Sequence, residues 1–176
     1  MCHSWLLLGK CLQIKYHTEQ DVQMEFLIYL DVCCLNRPFD DQTQERIRLE
    51  AEAVRLILAN CQTGEWQMLV SEAIDNELER TPDIDRKRQI KLWTASVSIK
   101  VSLTEQVKSR ARELNELGFK NYDALHIACA EVGNADILLT TDDRMLRLAA
   151  RCRNLLQVRV ENPLHWVMEV TDDRRD

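Results

Sequence analysis

Apolar and polar positions follow two rhythms along the chain, and their succession predicts strands alternating with helices. Phe26-Leu27-Ile28-Tyr29-Leu30 is a nearly continuous apolar run, as expected of a strand buried on both faces. Asp41 with Gln44 then offers a capping-box-like helix start. Val54, Ile57, Leu58 and Cys61 give that helix an i, i+3, i+4, i+7 face, and Gly64 follows its end. Trp66 to Val70 reads as a second strand. Ser71 can cap the next helix, which runs to Arg80 and stops before Pro82; another spans Asp83 to Ala95.

The second half repeats the alternation. Ile99 to Leu103 is a third strand, and Thr104 caps a helix with Val107, Ala111 and Leu114 inward and Gly118 at its close. Asn121 caps a helix from Tyr122 to Val132 that Gly133 ends. Leu125, Ala128, Cys129 and Val132 on one side, with Ala124 and Ile127 adjacent, predict that it is well buried. Asp136 to Thr140 is a fourth strand, Asp143 to Cys152 a helix and Gln157 to Val160 a last strand. The order predicts an α/β domain with a central, mainly parallel sheet of about five strands and helices on both faces. Residues 1–23 follow neither rhythm and are expected to be an N-terminal extension. The domain is expected over 24–162, with a C-terminal tail over 163–176.

Composition narrows the chemistry only slightly. No apolar run approaches the roughly 20 residues of a membrane span, and Trp5 to Leu8 is too short for a signal sequence and lacks a basic flank. The seven cysteines are scattered, with no Cys-x-x-Cys pair, as for reduced thiols in a cytoplasm. A net charge of −6 argues against nucleic-acid binding through bulk electrostatics, yet allows a local acidic cleft rimmed by basic residues.

Ligands of an open parallel sheet bind beyond the carboxyl ends of its strands, near a switch in strand order. Asp31 directly follows the first predicted strand, and Asp142 lies just past the fourth, after Thr140-Thr141. If those strands are neighbours, the two carboxylates repel each other unless a cation neutralises them. Asp123 falls in the first turn of the buried helix, where the helix dipole alone would also favour an acid. Glu77 shares a helix with the core-facing Ile74 and Leu78, whereas Glu72, Asp75 and Glu79 have the phase of a solvated face.

These segments together resemble PIN-domain nucleases. Leu30-Asp31-Val32-Cys33-Cys34-Leu35, Ser71 with Glu77, Tyr122-Asp123-Ala124-Leu125-His126-Ile127-Ala128 and Leu139-Thr140-Thr141-Asp142 stand in PIN order over about residues 24–162. Many such proteins carry Asn or Ser in place of Cys33. The resemblance implies a three-layer αβα sandwich and a metal-dependent endoribonuclease acting on single-stranded RNA. It also implies that Asp31, Glu77, Asp123 and Asp142 are the catalytic and metal-binding acids, assisted by the hydroxyl of Thr140. Asp143 is the weaker alternative to Asp142. Mg²⁺ or Mn²⁺ suits such a hard oxygen set. His126 is expected in a core or supporting role rather than as a general base.

Arg37, Arg144 and Arg147 are candidates for RNA phosphate, against the alternative that they pair with the abundant acids. Many small prokaryotic PIN proteins are toxins held by an antitoxin and are often dimeric, so a cognate antitoxin and a homodimer are the expected partners. The rival reading is a PIN-like binding or regulatory module with weak or absent cleavage. Other αβα chemistries lack their residues: Cys33 stands where a HAD-type phosphatase needs Asp, and no lysine follows Lys120 as a receiver domain requires.

Overall fold

The computed structural model of the chain describes residues 26–95, 97 and 99–173, and the expected extension over 1–23 lies outside them. Strands β1 (Leu27–Leu30), β2 (Gln67–Ser71), β3 (Ile99–Val101), β4 (Ile137–Leu139) and β5 (Arg159–Glu161) pair in parallel, in the order β3-β2-β1-β4-β5. The chain therefore builds outward from β1 on one side, then returns to build β4 and β5 on the other. The order reverses between β1 and β4, where Leu30 is in register with Leu139. Asp31 and Asp142 belong to neighbouring strand ends, the condition on which the sequence reading depended.

Eight helices accompany the strands among the described residues: α1 (Val32–Asn36), α2 (Glu45–Thr63), α3 (Glu72–Leu78), α4 (Ile84–Ala95), α5 (Glu105–Glu116), α6 (Asn121–Val132), α7 (Asp143–Arg151) and α8 (Pro163–Asp173). The result is a three-layer αβα arrangement around a five-stranded parallel sheet. The predicted stripe of α2 is its buried one, with Val54, Ile57 and Leu58 in the core. Each such side chain contributes about 1.5–3 kcal/mol on leaving water. Gly64 ends α2 at φ +82°, a left-handed conformation that a β-carbon would strain.

The alanine-rich α6 is buried as its pattern predicts: Ala124, Ile127, Ala128, Cys129 and Ala130 are inaccessible to solvent. It packs on α5, and the buried Glu131 carboxylate accepts from Arg110 Nε at 2.6 Å to tie the two helices. No helix among the described residues is long and apolar enough to cross a membrane.

Two elements were not visible in the periodicity. The single turn of α1 is too short to show a period. Residues 163–173, read from the sequence as a tail, form α8. Trp166 of α8 is buried, its ring 5.3 Å from Phe26 and 4.9 Å from Trp66. That aromatic contact joins α8 to the segments that lead into β1 and β2, and α8 also packs on α2.

Candidate active site

Asp31 is placed by the sheet itself. Its N–H donates to the Leu139 carbonyl at 3.1 Å, extending the β1–β4 ladder by one residue. Its carboxylate turns back to cap α1, accepting from the Cys34 N–H at 2.8 Å. The residue is 3% exposed. Burial pushes its pKa up to about 6, against the opposing effects of His126 and of hydrogen bonds from Thr140 and Cys34.

Asp142 caps α7, accepting from the N–H groups of Arg144 and Met145 at 2.7 and 3.0 Å. Between the two acids lies Thr140, fully buried; its Oγ1 accepts from the Asp142 N–H at 3.0 Å. One hydroxyl thus contacts both strand-end acids.

Asp123 stands in the first turn of α6. Its Oδ2 is buried without a hydrogen-bond partner among the described residues, the nearest cation being Arg144 Nη1 at 3.7 Å. Burial first, and the charge of Asp142 second, raise its pKa above the usual carboxylate value. Glu77 reaches in from α3, its Oε2 2.6 Å from His126 Nε2.

The pKa of the Cys33 thiol is raised by these acids. Asp31 most of all, then burial, then Glu77, Asp142 and Asp123 hold that thiol well above the usual range. Cys33, Glu77 and Asp142 line a groove shared with Asn36, Arg37 and Arg86. An adjoining groove shares Asn36, Glu77 and Arg86 and runs on to Arg80 and Tyr122.

A model of the PIN domain family matches residues 28–151 of the chain. The chain belongs to the PIN-domain family. Members are generally nucleases, and PIN nucleases typically use divalent metals. No curated protein matches the chain significantly. Among solved structures, the chain is similar to VapBC2 from Rickettsia felis bound to a promoter DNA fragment, with 13% identity and a TM-score of 0.46 over 77% of this chain and 98% of that one. It is also similar to VapBC-1 from nontypeable Haemophilus influenzae, with 19% identity and a TM-score of 0.47 over 78% of this chain and 98% of that one.

Whether the PIN acids suit a divalent ion can be judged from their spacing and their free oxygens. Among the described residues, no three His, Cys, Asp or Glu side chains are grouped closely enough to hold one ion. That spacing does not suit a closed zinc site of four protein ligands. Mg²⁺ and Mn²⁺ keep several waters and need only one or two carboxylates directly. The unpartnered buried Oδ2 of Asp123 is an oxygen of the kind such an ion takes up.

Of the two roles open to the arginines named from sequence, Arg37 takes that of pairing with acids. Arg37 is committed to the fold: Nη1 donates to Asp40 at 3.1 Å, Nε lies 3.0 Å from the buried Glu50, and Nη2 reaches the Thr141 carbonyl. Arg144 donates to the Gly118 carbonyl and lies near Asp123. Arg147 lines a separate groove with Arg46, Glu50 and Asp143. Asp143 itself makes a bidentate, half-exposed pair with Arg46.

Lys120, with Nζ 3.7 Å from Asp142, and Arg80 and Arg86 in the grooves were not singled out from sequence. Isolated basic residues carry no spacing signal. The hydrogen bonds of Tyr29 beside His126 were also missed, and Ser71 was read as a helix cap but not as a partner of Tyr29. A hydroxyl inside an apolar strand run was the available clue.

Proposed function

We propose that this PIN domain is a metal-dependent endoribonuclease that hydrolyses phosphodiester bonds of single-stranded RNA. Asp31, Glu77, Asp123 and Asp142 are its metal-binding and catalytic carboxylates, and Mg²⁺ or Mn²⁺ is its ion. The observation that carries the reading is the placing of Asp31 and Asp142 at adjacent strand ends at the reversal of strand order, with Glu77 lining the same groove as Asp142. When bound, the ion supplies Lewis acidity toward the phosphate and an activated water.

The chain's own residues set up the rest. Burial makes the charge on Asp31 costly, and a cation beside it relieves that cost. Asp123 offers an oxygen with no hydrogen bond to lose. Thr140 fixes the backbone that presents Asp142. Arg80 places positive charge along the groove that leads away from Glu77, where an RNA backbone would lie, whereas Arg86 is held by Asp40 and the Phe39 carbonyl. Of the arginines expected at phosphate, Arg144 keeps that role in this reading. Arg37 acts as a structural neighbour, and Arg147 lies on another groove.

We further propose a toxin role with a cognate antitoxin and a homodimeric state, on the strength of the resemblance in motif order and size to small prokaryotic PIN toxins. Co-purification with the product of an adjacent short gene tests it.

Cleavage of single-stranded RNA by wild type and Asp31→Asn, with Mn²⁺ and with chelator, tests the enzymatic reading. Mn²⁺-dependent cleavage by wild type and a loss of at least about a hundredfold in the variant are expected. Equal cleavage by both would overturn the assignment of the site. Metal binding without any cleavage would favour the binding-module alternative.

A further inference from the structure

A chain of buried polar groups runs beneath the groove and ends on Glu77. Nε2 of His126 lies 2.6 Å from Glu77 Oε2, and Nδ1 lies 2.7 Å from the Tyr29 hydroxyl. That hydroxyl is 2.6 Å from Ser71 Oγ, which accepts the Ile74 N–H at 3.3 Å. Tyr29 and Ser71 are fully buried and His126 nearly so. The connection therefore leaves α3 at Ile74, crosses β2, β1 and α6, and returns to α3 at Glu77.

Such a chain is demanding. Buried polar groups destabilise a core unless each finds its partner, and apolar side chains would fill the same space without that requirement. A carboxylate only accepts hydrogen bonds, so the His126 Nε2 carries a proton toward Glu77, and the Tyr29 hydroxyl can complete the ring at Nδ1. Glu77, by contrast, sits on a helix of seven residues and is partly exposed. Without a partner, its long side chain would keep much of its rotamer freedom.

Resting on the metal reading above, we propose that His126 is a positioning residue that fixes the Glu77 carboxylate for the ion, with Tyr29 and Ser71 holding the imidazole. The imidazole touches neither RNA nor ion in this account. It acts by narrowing the orientations of one carboxylate, as outer-shell partners do for other metal-binding side chains.

Calorimetric titration of Mn²⁺ into the full chain tests this, on wild type, Glu77→Gln, His126→Met, His126→Gln and Tyr29→Phe, with melting curves for each. Met and Gln are close in length, and Gln alone keeps a donor. His126→Met should weaken Mn²⁺ binding by about tenfold or more. His126→Gln should stay within roughly threefold of wild type, the scale of one retained hydrogen bond. Nitrogen NMR of the metal-free imidazole should show the proton on Nε2, with the Nδ1 resonance moved by Tyr29→Phe.

Binding lost in Glu77→Gln but unchanged in His126→Met would overturn the positioning role alone. Absence of Mn²⁺ binding by wild type would overturn the metal reading and this proposal with it. If His126→Met fails to fold, Tyr29→Phe decides. A roughly threefold loss with a moved Nδ1 signal supports the role, and unchanged affinity and signal overturn it.

Discussion

The N–H of Asp31 donates to the carbonyl of Leu139 at 3.1 Å, so the first acid of the site is pinned to the strand that delivers Asp142. Backbone pairing thus supplies the proximity, and the carboxylate is held in place where ionisation is unfavourable.

That strain has a measurable pH dependence. The folded pKa of Asp31, about 6, lies above the unfolded value near 3.8. The folded state binds the extra proton, so the associated stability is present below pH 3.8 and lost as pH rises through 6. Metal-free Asp31→Asn should therefore be more stable than wild type at pH 7, by on the order of 3 kcal/mol. The gap should close as pH falls from 6 toward 4. Urea unfolding in chelator across that range checks both the sign and the window. An Asn oxygen can still accept from Cys34, so the cap survives the substitution.

The thiol of Cys33 reports the acids independently of any ion. Asp31 is the largest cause of its raised pKa. Asp31→Asn should speed alkylation of Cys33 in metal-free protein, about threefold for each tenfold rise in thiolate fraction, because a less basic thiolate is also less nucleophilic. Mass spectrometry of the Cys33 peptide reads the rate, with the buried Cys34 resolved by fragmentation. An unchanged rate would mean that the Asp31 charge does not reach the thiol.

Glu50 should matter to stability far more than its neighbour Asp143. It is buried, with Arg37 Nε at 3.0 Å, Arg46 Nε at 2.9 Å and Asn162 Nδ2 at 2.9 Å. Glu50→Ala leaves the largely buried Arg37 with Asp40 but without its Nε partner, and should cost about 1–3 kcal/mol. Asp143→Asn removes a half-exposed pair and should cost less than about 1 kcal/mol. Denaturant unfolding distinguishes them.

Much of this arrangement was legible in the chain, and the omissions have physical causes. The β1 and β4 runs, the caps at Ser71 and Thr104, and Asp31 and Asp142 at strand ends depend on neighbours within a few residues. The role of His126 does not: it is an α6 side chain whose partners come from β1 and α3, 97 and 49 residues away. For Arg37 phosphate contact and pairing with acids were both open, because nothing local reveals that Glu50 lies against it. The docking of α8 likewise depends on Trp66 and Phe26, which lie 100 and 140 positions before Trp166 in the chain.

Mn²⁺ should stabilise the folded chain through these acids. At a concentration a hundredfold above its Kd, binding contributes about 2.7 kcal/mol. For a domain of this size that raises Tm by about 5–10 °C. Thermal melts with and without Mn²⁺ measure it, and Asp123→Asn should lose most of the shift.

Single-turnover cleavage of single-stranded RNA in Mn²⁺ tests the central claim most directly, comparing Asp31→Asn, Asp142→Asn and the double variant. If the acids form one metal site, each single change should remove nearly all of the activity. The double variant should then be little slower than either single one, because residues acting as a unit are not additive. Wild-type rates in either single variant, or losses that multiply in the double, would contradict a shared site.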